Sequence, residues 1–144
     1  MSKLQSQFLS LANADLGIAE FALKNSADEA FLHQAAYHCQ QAAEKLIKSV
    51  YVENKVELRK VHNISDLIAG IKDAAERSWF AELISNEPHI SRWADLRYIT
   101  NYKASKDDVT HILGILRQIH QEESRLQAAT ADNLELFTEY RKDN

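Results

Sequence analysis

Three observations predict an all-α fold, an antiparallel bundle of four to five helices. Glycine and proline are scarce, three and one in 144 residues, whereas sheet proteins need many turn residues. Apolar side chains recur at steps of three and four through long stretches, the period of a helix face. Helix-capping residues stand immediately before several of those stretches. The length is that of one domain, residues 1–144, with enough chain to bury a core without staples.

The first helix is predicted over residues 3–24. Leu9, Ala12, Leu16, Ala19 and Leu23 form its seam, and Phe8, Leu11, Ile18 and Phe21 widen the apolar face. Asn25 ends it. Ser26-Ala-Asp-Glu29 reads as a capping box that starts the second helix, and the short link implies an antiparallel hairpin. The second helix extends to about Asn54 and carries two stripes. Leu32, Ala35, Cys39, Ala42, Leu46 and Val50 belong in the core. Gln34, Tyr37, Gln41, Glu44 and Lys48 line the opposite, polar side, which is free either to be solvated or to meet a partner.

The charged run Lys55–His62 reads as a loop. Asn63 or Ser65 caps a third helix over residues 64–77, in whose interior Gly70 costs about 1 kcal/mol relative to alanine. A short helix follows at residues 78–85, stopped by Asn86-Glu-Pro88. The segment from His89 begins with helical spacing at Ile90, Trp93, Ala94 and Arg97, then turns aromatic and β-branched, which predicts a change from helix to irregular chain. Ser105-Lys-Asp-Asp108 caps the last long helix, with Val109, Ile112, Leu116, Ile119 and Leu126 as its seam. That helix ends near Ala129, with residues 132–140 either extending it or forming a short helix of their own.

Composition narrows the function. The net charge of −4 argues against a general nucleic-acid binder. The distribution is uneven, however. Residues 44–60 hold five basic residues against three acids and residues 92–106 hold four against one, so a local anion-binding patch fits on an otherwise acidic body. The lone cysteine, Cys39, falls on the core stripe, which excludes an internal disulfide and suits a reducing, cytoplasmic compartment. No apolar run suggests a signal peptide or membrane span.

None of the six histidines belongs to a zinc-like or di-iron tetrapeptide, and no phosphate-binding glycine loop or nucleophile elbow is present. No metal site and no cofactor is expected. What remains is Tyr37, Gln41, Lys45 and Lys48 on the second helix together with Arg92, Arg97 and Tyr98 before the last. Arginine offers a planar fork to phosphate and tyrosine a stacking face to a base, so these seven are the candidate nucleotide-binding residues. The plainer reading makes Trp93 and Tyr98 core or interface aromatics and pairs Arg97 with an internal carboxylate.

The run HQAAYHCQQAAEKLIKSVY, followed by a basic loop and VHNISDLIAGI, resembles the HEPN family (higher eukaryote and prokaryote nucleotide-binding). Ala14-Asp15-Leu16, Tyr37 through Lys48, Val61-His62-Asn63-Ile64 with Leu67, and Leu96-Arg97-Tyr98 are similar to the family's successive elements, over about residues 8–126. The resemblance implies a helical bundle, commonly a homodimer. Many members are toxin or defence ribonucleases with Arg-x(4–6)-His. That motif is absent here: Arg97 is followed at the right spacing by Tyr102, and tyrosine is a poor base at neutral pH. Members without the motif are proposed to bind nucleotides or to partner a small nucleotidyltransferase, as in toxin–antitoxin or defence systems, and that non-catalytic role is the expectation. A divergent ribonuclease would use Arg97 with Tyr102 or His62. A purely structural dimeric module would use the Tyr37 stripe as its seam.

Overall fold

The computed structural model describes residues 2–58, 63–96 and 101–142, with backbone alone beyond Leu126. Its elements, in chain order, are α1 (Lys3–Lys24), α2 (Glu29–Glu53), α3 (Ile64–Ala69), α4 (Ala74–Trp79), α5 (Ala81–Ser85), α6 (Glu87–Trp93) and α7 (Lys106–Lys142). Among the described residues all regular structure is helical, as the glycine and proline counts predict. Three long helices carry the bundle. α1 and α2 form the antiparallel hairpin, and α7 packs on both. Arg117 and His120 of α7 reach Glu20 and Leu9 of α1, and Lys103 just before α7 pairs with Glu29 at the start of α2. So α7 runs against α1 and alongside α2.

Each long helix starts where a side chain replaces the missing backbone acceptor. Ser2 Oγ accepts from Gln5 N–H at 3.1 Å in α1, and Ser105 Oγ accepts from Asp108 N–H at 3.3 Å in α7. At α2 the cap is Asp28 rather than Ser26. Its carboxylate accepts from Ala30 N–H at 2.9 Å, because residues 25–28 are drawn into a turn by Asp28 N–H donating to the Asn25 carbonyl. α2 ends at Asn54 in a Schellman arrangement: Lys55 takes φ of 57°, its N–H donates to Val52 and the Val56 N–H to Tyr51.

α2 is the hub. The predicted stripe is buried from Ala35 to Val50, but Ala36, Ala43, Ile47 and Tyr51 on a second side are buried too. α3, α6 and α7 all pack on α2 besides α1. Glu44, assigned by spacing to the polar stripe, is consequently buried and pairs with Lys48 at 3.6 Å. On α1 the seam Leu9, Ala12, Leu16 and Ala19 is buried, whereas Leu11, Ile18 and Phe21, read as widening it, are exposed.

The expected third helix is broken. α3 stops at Ala69, the chain turns through Gly70–Asp73, and Asp73 caps α4 by accepting from Ala75 and Glu76 N–H groups. The expected helix over 78–85 becomes the end of α4 and then α5, and Pro88 sits in the first turn of α6, where its missing N–H costs nothing. Helices this short do not hold by themselves. Phe80, Leu83, Ile90 and Trp93, all fully buried, anchor them, each worth roughly 1.5–3 kcal/mol by area. α7 continues without interruption through residues 132–140.

Gly70 is therefore no penalty inside a helix. It caps α3 where the fully buried Tyr51 hydroxyl donates to the Leu67 carbonyl, and a Cβ at position 70 would collide with that hydroxyl. Gly70→Ala should lower stability by about 1–3 kcal/mol, the usual cost of overpacking, rather than raise it. Most of that loss should disappear in a Tyr51→Phe background, measured by denaturant unfolding as a double-mutant cycle.

Candidate functional site

The polar side of α2 does not face open water as a simple stripe. Asp15, in the middle of α1, turns its carboxylate to α2, where its side chain is 9% exposed. Two α2 residues seven apart meet it. His38 Nδ1 donates to Asp15 Oδ1 at 2.8 Å, and Lys45 Nζ pairs with Oδ2. Burial alone would raise the Asp15 carboxyl. The hydrogen bonds and charges of His38 and Lys45 outweigh it and hold the group below the usual carboxylate range. The carboxylate only accepts, so Nδ1 of His38 carries the proton and the ring is held in one tautomer. Tyr37 sets its ring edge-on against that imidazole, centroids 5.3 Å apart.

One helical turn from these residues lie the rest of the face. Leu11 and Ile18 flank Asp15 on α1 and are 51% and 47% exposed. Gln34 and Gln41 flank His38 on α2, and Lys48 follows Lys45. The hairpin thus presents one face, apolar along α1 and polar along α2, with a compensated carboxylate between the two rows.

The seven candidate residues fall into distinct situations. Lys45 and Lys48 are committed to Asp15 and Glu44, so each reaches a phosphate only by leaving a carboxylate whose side chain is 8–9% exposed. Gln41 is half-buried and donates to Gln40 Oε1 at 2.7 Å. Tyr37 is half-buried against His38. Arg92 differs. It is exposed, has no ion pair among the described residues, and lays its guanidinium over the Tyr102 ring, 4.8 Å from the centroid. Arg97 and Tyr98, and His62 of the alternative catalytic set, lie outside the described residues. Trp93 is in the core, fully buried.

The Arg92–Tyr102 pair lies toward the start of α2, whereas Lys45 and Lys48 lie toward its end. Lys103, next to Tyr102, pairs with Glu29 at the start of α2, sixteen residues or about 24 Å of helix from Lys45. The structure also groups residues that spacing did not. Asp15 and His38 are 23 positions apart, in two separate stretches of the sequence, so only the hairpin register joins them. Arg117 and His120, the shortest Arg–His separation alongside Arg59–His62, serve the α1–α7 contact instead: Arg117 bonds Asn13 and Glu20, and His120 bonds the Leu9 carbonyl at 3.2 Å. Burial and the neighbouring Arg117 charge lower the His120 pKa, although its backbone bond opposes them. Cys39 is likewise structural, its thiol pushed up to about 12 by burial and then by the charges of Asp15 and Glu20. A cleft of about 380 Å³ between Ser78–Glu82 and α7 contains none of the candidate residues, and its Glu82 and Glu122 disfavour a phosphate ligand. Among the described residues no helix is long and apolar enough to cross a membrane.

Asp15→Asn should destabilise the fold by about 3 kcal/mol, because Lys45 is left facing a half-buried site without its counter-charge. The wild-type pair also has a pH signature. The folded-state pKa of Asp15 lies below its unfolded value, so its stabilisation is complete above the ordinary carboxylate range and is lost as pH falls through the lower, folded value. That acid-side loss should be smaller in Asp15→Asn, as read by urea midpoints across the acid range.

A family model described as HEPN domain matches residues 6–126. No curated protein and no solved structure gives a match. The matched span takes in α1, α2 with its Tyr37–Lys48 core, the short helices and the seam of α7, well over half of the sequence. The chain belongs to the HEPN domain family, whose roles are nucleotide- and RNA-related.

Proposed function

We propose that this is a non-catalytic HEPN protein that binds a nucleotide, or a nucleotide-handling partner such as a small nucleotidyltransferase, through the segment from Arg92 to Tyr102. The observation that carries this reading is the Arg92 guanidinium lying over Tyr102. An exposed guanidinium over an aromatic ring presents a pre-set planar fork with its N–H groups at the rim, suited to a phosphate. Arg97 and Tyr98 fall within the same segment of sequence and extend the set. The engagement of Lys45 and Lys48 with buried acids argues for moving the centre of binding away from α2 to this segment. The missing Arg-x(4–6)-His motif is what argues against catalysis.

Titration with nucleoside mono-, di- and triphosphates by calorimetry tests the reading. Binding should weaken at least tenfold in Arg92→Ala, about the loss of one charge-assisted contact of 1.5–3 kcal/mol, and remain near wild type in Lys48→Ala. Failure of every nucleotide to bind the folded protein would reject the ligand. Cleavage of RNA by the purified protein, abolished in Arg97→Ala, would replace this reading with the ribonuclease one.

The same reading makes the protein a homodimer. The exposed row Leu4, Leu11, Ile18 and Phe21 on α1, 44–64% accessible, supports the hairpin face as its seam. Leu11→Glu with Ile18→Glu should give a folded monomer by sedimentation, with helical content unchanged. A wild type that is already monomeric at high concentration would sink the dimer.

A further inference from the structure

At the end of the bundle remote from Tyr102, three carboxylates from three helices meet. Glu53 closes α2, Glu76 lies in α4 and Glu123 in α7, and one carboxylate oxygen of each lies within 4.8 Å of the others. Glu123 is fully buried, and neither of its oxygens has a hydrogen-bond partner among the described residues. The charged groups that act on it, Glu53, Glu76 and Glu122, are all negative, and Asp73 adds its charge to Glu76. Among the described residues one donor reaches the group, the Asn54 amide on Glu76 Oε2 at 3.2 Å. A buried carboxylate with neither donor nor counter-ion costs several kcal/mol, so a cation or protons must complete this arrangement.

We propose that Glu53, Glu76 and Glu123 form a binding site for a hard divalent cation of calcium or manganese size. Three carboxylate oxygens and no nitrogen or sulfur donor make a hard-ion set. Calcium takes oxygens at about 2.3–2.6 Å, so ligands on opposite sides of it stand roughly 4.6–5.2 Å apart and adjacent ones roughly 3.3–3.7 Å. All three oxygens lie within 4.8 Å of one another, inside the widest separation that calcium ligands take. Magnesium, at about 2.0–2.1 Å, demands a tighter and more regular set of ligands. The exposed edge at Glu53 leaves room for water ligands and an entry path. The site also answers a structural need. α4 buries none of its own residues and is held by apolar packing only through Phe80 at its end, so an ion shared with α2 and α7 would add a second anchor.

Protonation is the competitor, and it has its own signature. Without a cation, burial and the neighbouring acids push Glu123 up to about 8 and Glu76 up to about 7, well above their unfolded values. The folded state then holds more protons than the unfolded one between the ordinary carboxylate range and about 8, so stability falls as pH rises through that window. A bound cation removes that fall.

The test is thermal denaturation of chelator-treated protein across that window, with and without millimolar calcium, manganese or magnesium, alongside manganese paramagnetic resonance to count bound ions. Expected is one manganese ion per chain and a midpoint that rises with calcium or manganese most strongly at alkaline pH, where the ligands have lost their protons. Glu123→Gln and Glu76→Gln should weaken manganese binding at least tenfold. If either variant fails to fold, Glu53→Gln at the exposed edge should show the same weakening. No bound manganese at alkaline pH, or undiminished binding in the Gln variants, would overturn the proposal. So would a Glu123→Gln variant more stable than wild type in both chelator and calcium, which would identify a cluster of shared protons.

Discussion

The fit of Asp15 against α2 is the constraint on which the rest of the bundle depends. α1 approaches α2 along Ala12, Ala19, Ala35, Cys39 and Ala42, side chains small enough to bring two helix backbones close. Apolar surface of that kind fixes distance but scarcely fixes register, because one alanine fits a groove much as the next does. Asp15 removes the ambiguity. Its carboxylate is tolerable in that interface only where His38 and Lys45 arrive together, and sliding α1 by one turn would strand all three. The contrast with Arg125 and Glu122 decides how much weight such a contact bears. That pair is also close, but its Arg side chain is 67% exposed, and pairs of this kind contribute about 0–1 kcal/mol.

Placing α2 at the centre has a consequence for chemistry. A helix buried on two sides keeps only a narrow strip for polar groups, and on α2 that strip is crossed by internal ion pairs. Lys45 answers Asp15 and Lys48 answers Glu44, so the cations most prominent in the sequence serve the scaffold. Arg92 stands outside this accounting. It projects from a short helix anchored by Ile90 and Trp93, and its partner is a ring rather than a carboxylate. A cation held by an aromatic face keeps its charge for a ligand, whereas a cation held by a buried acid does not.

The long helices were legible because a buried stripe repeats over several turns, and because Ser105 announces the start of α7 by side-chain chemistry alone, as Asn63 does for the short α3. The breaks were not. Ile64, Leu67, Ile68 and Ile71 share a helical face, and nothing local says that the chain turns at Gly70; the reason is the Tyr51 hydroxyl, nineteen residues earlier, occupying the space a Cβ would need. The two-sided burial of α2 was hidden for a related cause. Alanines at positions 36 and 43 are neutral in any pattern of apolar spacing, yet they are where α2 receives its second neighbour. At the candidate site, arginine and tyrosine were recognisable as residue types, but their partners are set by register and topology: His38 with Asp15, Arg92 with Tyr102.

Two buried carboxylates show the same electrostatics resolved in opposite ways. Asp15 draws in an imidazole and an ammonium, and its proton affinity falls. Glu123, equally removed from water, meets only other acids, and its proton affinity rises. A fold that placed Asp15 between two donors did not lack the means to do so for Glu123, since Lys55 and Arg77 each lie next to or two residues from a member of that cluster. Instead Arg77 donates to the Ile71 carbonyl and Lys55 is turned outward by its left-handed backbone at the end of α2. Among the described residues these cations are directed elsewhere and leave three carboxylates convergent and uncompensated. That is the arrangement in which an ion from solution, rather than a side chain, completes the charge balance.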